Sequence, residues 1–579
     1  MASKQKLMAT IDPAIIKSLF DRYRNGEYQA LLAQTQDLLE TWPGEAVLHS
    51  LAGAAALALH DYEDAVRSYR AALDLRPDLA KVRNSLGIAY LRLGRLEEAA
   101  ASFHHALKHD SQLAQAWFNL GIVHENRNRL AQAADYYRQA TRSNPVYHQA
   151  LCALAKVLWE LRLPEQVEDY FEKAVAVEEN YLPAHLGLLH FLEQANRHEQ
   201  LRQAVARARR VLGEHEAVRL FEGILADIDG EHARARSLLE AFSIAPADTL
   251  QRHSERLRLA RLVRLCDRLD DPDAALGYAR NANELSRQLS ADKGIDKSRF
   301  LHTVERRRRY FTAANLKRWS EFAPADNRSG PVFIIGFPRS GTTLLDTLLR
   351  GHPALRVAEE TDAVGSMVNR LAGPMDARLD SMGELSGEEI EALRLTYFEA
   401  LARHVPAQTG ILPIDRFALN TVYAGEIYRV FPQARFILLL RHPADCVLSC
   451  FLQTFYETSA NASFFTLKDS AHLYDRVFDL WRQYTDLLPL NVLQVKYEDL
   501  IADTEPTCRR ILNFLDMPWH ADILAHERSA RERPLIGTAS YNQVTRPIYS
   551  EAQGRWRRYQ AAMQPVLPVL EPWINYFGY

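Results

Sequence analysis

Long apolar runs are missing from these 579 residues: none reaches the roughly 18 residues that cross a bilayer as a helix. The opening stretch, MASKQKLMATIDPAIIKSLF, has neither the apolar core nor the small-residue cleavage site of a secretory leader. The compartment expected is the cytoplasm. Cysteine is scarce. Cys152, Cys266, Cys446, Cys450 and Cys508 form no CxxC pair, and Cys446 and Cys450, four apart on one expected helix face, have no nearby His or Cys to complete a zinc site. They read as reduced, structural thiols, and no metal is expected. Surplus charge is lacking too. A net charge of −3 draws the chain to neither nucleic acid nor an anionic membrane, so any anion site must be a local cluster. What remains, 47% hydrophobic and 25% charged residues, is the composition of a soluble globular protein, and the chain is too long for one ordinary core.

The first half repeats. Pro43, Pro77 and Pro145 sit at multiples of 34 residues, with Ser111 at the missing step. Gly53, Gly87 and Gly121 follow the same period, continued by Ala155. So do Ala65, Ala99 and Ala133; Tyr69, Phe103, Tyr137 and Phe171; and Ala72, Ala106, Ala140 and Ala174. The pattern suits a helix-turn-helix unit: small residues let two helices approach, an aromatic fills the gap, and proline stops the second helix because it lacks an N–H and clashes with the preceding turn. The columns fade after residue 180, and Gly223, Ala235 and Pro246 restore a similar rhythm, with 259–285 as one further unit. The expected organisation is an α-solenoid over 13–285, a helical connector over 286–330 and an α/β domain over 331–579. The run Arg306 to Arg309 reads as a solvated face of a connecting helix, and APADNRSGP (323–331) as the boundary.

From 331 the pattern changes. Val332 to Ile335 is a short apolar strand ended by Gly336, and TTLLDTLLRG is a helix closed by Gly351. ILPI (411–414), RFILLL (435–440) and NVLQVKY (491–497) are further buried strands, with helices between them; one helix opens on Ser386 and Glu389 at capping-box spacing. Strands alternating with helices predict a parallel sheet covered on both faces. Gly336 and Gly341 have the G-x-x-x-x-G spacing of a phosphate loop, but Thr342 stands where the lysine of a nucleotide triphosphatase would be, followed by Thr343. The loop N–H groups and helix N-terminus still cradle an anion, and Arg339 supplies charge. Arg441 ends a strand, and Ser449 follows eight residues later on the next helix, so a guanidinium and a hydroxyl can converge on a second phosphate.

GFPRSGTT and RHPADCVLS together resemble the two cofactor motifs of sulfotransferases that use 3′-phosphoadenosine 5′-phosphosulfate. HPALRVAEETD (352–362) and SYNQVTRPIYSEAQGRWRRY (540–559) are similar to segments of tyrosylprotein sulfotransferases and their bacterial relatives, and LGIAYLRLGRLEEAAASFHHALKHD resembles the tetratricopeptide repeat. The resemblance covers about 332–560. It implies sulfuryl transfer from 3′-phosphoadenosine 5′-phosphosulfate to an acceptor hydroxyl, on a P-loop-like parallel sheet flanked by helices, behind a solenoid of helix pairs.

By the same resemblance Glu360 is the catalytic base, a role that burial would favour by raising its pKa, while Glu359 is structural. His352 is a rival base, set in a helix-ending turn. Arg339 meets the phosphosulfate bridge, and Ser340, Gly341, Thr342 and Thr343 donate to the 5′-phosphate. Arg441 and Ser449 take the 3′-phosphate. Arg416 stands where relatives carry a lysine near the transferred group, either as that charge or as a structural ion pair. Ser540 reaches the leaving oxygen, Arg546 the 3′-phosphate or adenine side, and Tyr497 the nucleotide. His442 replaces an aspartate of the family, and Arg555 and Trp556 belong to a lid or its packing.

A peptide tyrosine is the first acceptor expected, with a carbohydrate or small phenol as the alternative. The repeat groove binds the peptide or protein partner, or else only scaffolds or dimerises the enzyme. Asp362 follows E-E-T where relatives carry arginine, and repels an acidic peptide unless other groups compensate. Two other classes stay open: a nucleotide kinase, for which lysine and metal-binding acids are missing, and a repeat-based binding module with an inactive second half.

Overall fold

The computed structural model describes residues 11–161, 163–247, 249–319, 330–373, 376–406, 408–525 and 552–579. Two compact units divide it, Met1–Gly213 and Glu214–Tyr579.

The first unit is a run of antiparallel helix pairs. Ala46–Ala58 pairs with Tyr62–Leu75, Ala80–Arg92 with Leu96–His109, and Ala114–Asn126 with Leu130–Ser143. Pro43, Pro77 and Pro145 each stand two residues beyond a helix that ends at Thr41, Leu75 or Ser143. The glycine column faces the aromatic column: a Cβ on Gly53 would lie 2.8 Å from the Tyr69 ring, on Gly87 2.5 Å from Phe103, and on Gly121 2.3 Å from Tyr137. A side chain there would displace the ring that seals the pair, so the period is a packing rule written in sequence.

The second unit opens with helices from Glu216–Ile228 to Ser298–Tyr310 and continues into a five-stranded sheet. The division between the two units falls at 213/214, inside the 13–285 stretch read as a solenoid, and the helices beyond it still pair, Glu216–Ile228 with His232–Glu240 and Thr249–Arg268 with Pro272–Asp292. The reason is packing. Phe300, Val304 and Phe311 share a core with Phe333 and Phe436 of the sheet, and Asn283 Nδ2 donates to the Phe451 carbonyl (3.0 Å). Within the arginine run one residue departs from the expected solvated face. Arg307 is fully buried, donating to both Asp376 oxygens (2.8 and 3.1 Å) with its Nε 2.6 Å from Glu426. Arg307 turns inward and ties its helix into this unit, while Arg308 and Arg309 stay exposed as the solvated face.

The strands are β1 (Val332–Gly336), β2 (Leu355–Glu359), β3 (Leu412–Arg416), β4 (Arg435–Leu440) and β5 (Asn491–Lys496), all parallel in the order β2-β3-β1-β4-β5. Alternate residues face opposite layers. Phe333, Ile335, Phe436 and Leu438 enter one core with Tyr397, Ile427 and Trp481; Val332, Ile334, Ile437 and Leu439 enter the other with Leu345, Cys508 and Ile511. Both faces are covered by helices, which explains the unbroken apolar run of β4. The capping box forms at Ser386 and Glu389. β2 went unread in the sequence because charged Arg356 and Glu359 interrupt its apolar residues. Among the described residues no helix is long and apolar enough to cross a membrane.

Candidate functional site

Parallel strands bring all their C-terminal ends to one edge, and the chain winds from β1 to one side through β2 and β3 and to the other through β4 and β5. Ligands in such sheets bind where the winding reverses, here beyond β1. The ends carry Gly336 and the 337–341 loop (β1), Glu360 (β2), Arg416 (β3), Arg441 (β4) and Tyr497 (β5).

The loop is tightly held. Thr421 Oγ1 accepts the Gly336 N–H (3.0 Å), and the Ser340 N–H donates back to the Phe337 carbonyl (3.1 Å). Gly341, at φ 103°, precedes the helix Thr342–Leu349. A Cβ at Gly341 would stand 2.5 Å from Tyr497 Cδ2, so only glycine lets the loop lie against that ring. Arg339 adopts φ 70°, a left-handed conformation that a long side chain keeps only when its surroundings enforce it. Its Nε donates to Ser449 Oγ (3.0 Å), and its carbonyl accepts from Arg441 Nη1 (3.2 Å). The Arg441 guanidinium lies over the Tyr497 ring at 5.0 Å. Residues more than a hundred positions apart thus close one polar cradle around the loop.

Two donors in that cradle are orphaned. Ser340 Oγ and Arg441 Nε are buried without a hydrogen-bond partner among the described residues. Burying such a group unpaired costs about 1–3 kcal/mol, so a cradle of this kind fits a phosphate-bearing ligand. Thr342 and Thr343, also buried, begin the helix whose N-terminus faces the loop.

The β2–β3 side is carboxylate-rich. Glu360 sits at φ 46°, its N–H bonded to the Arg416 carbonyl (2.8 Å), and its side chain is 45% exposed. The burial expected to raise its pKa is not found, because the chain turns outward after β2. Arg416 is 1% exposed, with Nε 3.2 Å from Asp346, Nη2 2.8 Å from Glu359 and Nη1 3.5 Å from Glu360. Asp346 also pairs with Arg350, whose Nη2 donates to the Val357 carbonyl (2.6 Å). Beside Arg416, burial pushes the Asp415 carboxyl up to about 7, against the neighbouring Tyr397 hydroxyl (3.4 Å) and Arg416 charge. Asp362 turns away to Arg403 (3.1 Å) and His404 (3.7 Å). Partial burial works against its ionised form, but the Ser366 hydrogen bond and the Arg403 charge outweigh that and hold its pKa below the usual carboxylate value.

His352 is not part of this edge. It precedes β2 at the opposite end of the sheet, with Nε2 3.0 Å from the Pro518 carbonyl and Nδ1 accepting the Ala354 N–H (3.1 Å). The helix-ending turn uses both ring nitrogens, so His352 is no rival to Glu360. His442 caps the next helix; its ring stacks on Trp556 (5.4 Å) and burial lowers its pKa. Asp445 accepts the Gly554 N–H (2.7 Å) and the Trp556 N–H (2.9 Å), while Arg555 pairs with Asp267 (2.9 Å). Trp556 and Arg555 are therefore packing groups that tie the returning chain beside Arg441. Ser540 and Arg546 lie outside the described residues. Sequence reading missed Thr421, Asp346, Arg350 and Asp415. A lone carboxylate in the apolar helix TTLLDTLL, and another inside the strand LPIDR, were the signals that pointed to two of them.

A model described as "Sulfotransferase family" matches residues 331–521, and tetratricopeptide-repeat models match 53–94, 86–148 and 118–181. Protein-tyrosine sulfotransferase 1 of Danio rerio is 30% identical over 267 residues, covering 43% of this chain and 72% of that protein. Protein-tyrosine sulfotransferase A of Caenorhabditis elegans is 29% identical, covering 40% of this chain and 62% of that protein. An uncharacterized protein of Aquifex aeolicus (strain VF5) is 27% identical over 322 residues; the chain spans 54% of itself in that match but only 40% of the relative's length. With repeats in its first half and a parallel-sheet domain in its second, the chain belongs to the sulfotransferase family, as a member that carries tetratricopeptide repeats.

Proposed function

We propose that the protein transfers a sulfuryl group from 3′-phosphoadenosine 5′-phosphosulfate to a tyrosine hydroxyl of a peptide. The observation that carries this reading is the closure of two separate motifs around one loop: Arg339 on Ser449, and Arg441 on the Arg339 carbonyl, with Ser340 Oγ and Arg441 Nε lacking partners among the described residues. Ser340, Gly341, Thr342 and Thr343 would hold the 5′ side of the donor, and Arg441 and Ser449 the 3′-phosphate, with Tyr497 packed beneath. When bound, the donor supplies the sulfuryl group and leaves as 3′-phosphoadenosine 5′-phosphate. Glu360, open to solvent at the strand edge, accepts the proton of the acceptor hydroxyl. Arg403 and His404 beside Asp362 supply the compensation that an acidic tyrosine peptide needs, which favours this acceptor over a carbohydrate. The repeat unit recruits the peptide or its parent protein, and the reaction is cytoplasmic.

Calorimetry with 3′-phosphoadenosine 5′-phosphate and with ATP, each with and without magnesium, tests the donor. Binding of the bisphosphate independent of magnesium is expected; tight, magnesium-dependent ATP binding would replace this reading with a kinase. Labelled donor with a tyrosine peptide flanked by acidic residues, with a neutral peptide and with an oligosaccharide tests the acceptor. Label in the sugar alone would reject the peptide.

A further inference from the structure

The loop that grips the donor and the carboxylate that faces the acceptor lie on different strands, and one side chain reaches from the helix of the first to the neighbourhood of the second. We propose that Asp346 is a positioning residue: through Arg416 it fixes Glu360 relative to the phosphate loop. This rests on the sulfuryl-transfer reading above.

Asp346 is fully buried, four residues into the helix that starts at the loop. One of its oxygens pairs with Arg350 and the other stands 3.2 Å from Arg416 Nε. Arg416 then uses its two remaining nitrogens on two other carboxylates, Glu359 at 2.8 Å and Glu360 at 3.5 Å. Three nitrogens of one planar fork thus address three acids, and the fork is enclosed, with 1% of its surface exposed. A guanidinium can do this because its donors are fixed in a plane and point apart; a lysine ammonium is a single point of charge. Arg416 holds Glu360 twice, through this contact and through its own carbonyl, which takes the Glu360 N–H at 2.8 Å. The second bond matters because Glu360 sits at φ 46°, a conformation that relaxes unless enforced. Two guanidinium groups face three carboxylates, so the positive charge of Arg416 is engaged by its acids rather than directed at the transferred group. Its role is geometric. It departs from the single charge that the family resemblance implied for this position.

The test compares Asp346→Asn, Arg416→Lys and the wild type, all as the full chain. Binding of 3′-phosphoadenosine 5′-phosphate is measured by calorimetry, with its stoichiometry, and kcat and KM are measured with labelled donor on a tyrosine peptide and on 4-nitrophenol. Displacing a reacting group by about 1 Å costs up to about 100-fold. Both variants are therefore expected to lose about 10- to 100-fold in kcat, while bisphosphate affinity stays within about twofold and stoichiometry stays at one site. Asp346→Glu, which keeps the charge on a longer arm, should recover part of the loss. A purely structural role would lower stoichiometry in proportion to activity, and that result overturns the proposal. So does an Arg416→Lys enzyme with unchanged or higher kcat, because a single charge would then suffice without the fork. If Asp346→Asn does not fold, Arg416→Lys alone decides by the same criteria. A wild type that binds no bisphosphate and transfers no label removes the underlying reading and this inference with it, whereas a working wild type with indifferent variants removes the inference alone.

Discussion

Replacing Gly341 with alanine should damage both the fold and the proposed donor site, for two separable reasons. The first is local. At φ 103° an L-residue is strained, and the left-handed region costs roughly 1–2 kcal/mol once a Cβ is present. The second is a collision. The added carbon would stand 2.5 Å from Tyr497 Cδ2 and 3.2 Å from Cε2, so the ring has to retreat by roughly 1 Å to restore ordinary contact. Overpacking of that kind costs about 1–3 kcal/mol, and together the two terms give about 2–5 kcal/mol. The ring cannot shift unnoticed, because the Arg441 guanidinium lies over it at 5.0 Å. A loss of about tenfold or more in affinity for 3′-phosphoadenosine 5′-phosphate should accompany the loss of stability. The assay is chemical unfolding and calorimetry on Gly341→Ala, Tyr497→Leu and the double variant. Removing the ring should relieve the collision and leave only the backbone cost, a coupling of about 1–3 kcal/mol between the two sites. Stability within 0.5 kcal/mol of wild type for Gly341→Ala, or strict additivity in the double variant, would refute the reasoning.

Three further outcomes follow from other parts of the second unit. Arg307→Met strands the Glu426 and Asp376 carboxylates in the interior and should cost about 3–5 kcal/mol in urea unfolding, with partial recovery when Glu426→Gln is added; a loss below about 1 kcal/mol would show that water already reaches the pair. Burial raises the Asp415 carboxyl to about 7, so the native state binds a proton that the unfolded chain has released above about 4. The stability from that proton is complete below the unfolded pKa and drains away as pH rises toward 7, and Asp415→Asn should abolish this part of the pH slope; an unchanged slope between pH 4 and 7 would assign the titration elsewhere. Asp445→Ala leaves the Gly554 and Trp556 N–H groups without their acceptor, and limited proteolysis should cut near residue 554 faster by about 5- to 30-fold, the effect of about 1–2 kcal/mol on local opening; equal cleavage rates would mean that the ties of Arg555, Arg558 and Tyr559 to Asp267 hold the segment without Asp445.

The sequence determined a good deal by itself. A 34-residue period names a helix pair because a small residue must meet an aromatic ring at the same place in successive units, so packing repeats as spelling. Four of the five strands were legible because burial on both faces demands unbroken apolar runs, and the tight loop after β1 because Gly336 and Gly341 bracket it. Only the tertiary structure decided the rest. It divided the chain at 213/214, because the helices beyond that point pack on one another and also share a core with the sheet. It removed His352, since position along β2 decides which edge a residue faces, and it turned Glu360 outward. It brought Asp346, Arg416 and Glu360 together and buried Arg307 between Asp376 and Glu426. Arg307 meets Asp376 69 positions on and Arg416 meets Glu360 56 positions back, and no local pattern records which guanidinium will find which carboxylate once the chain has closed.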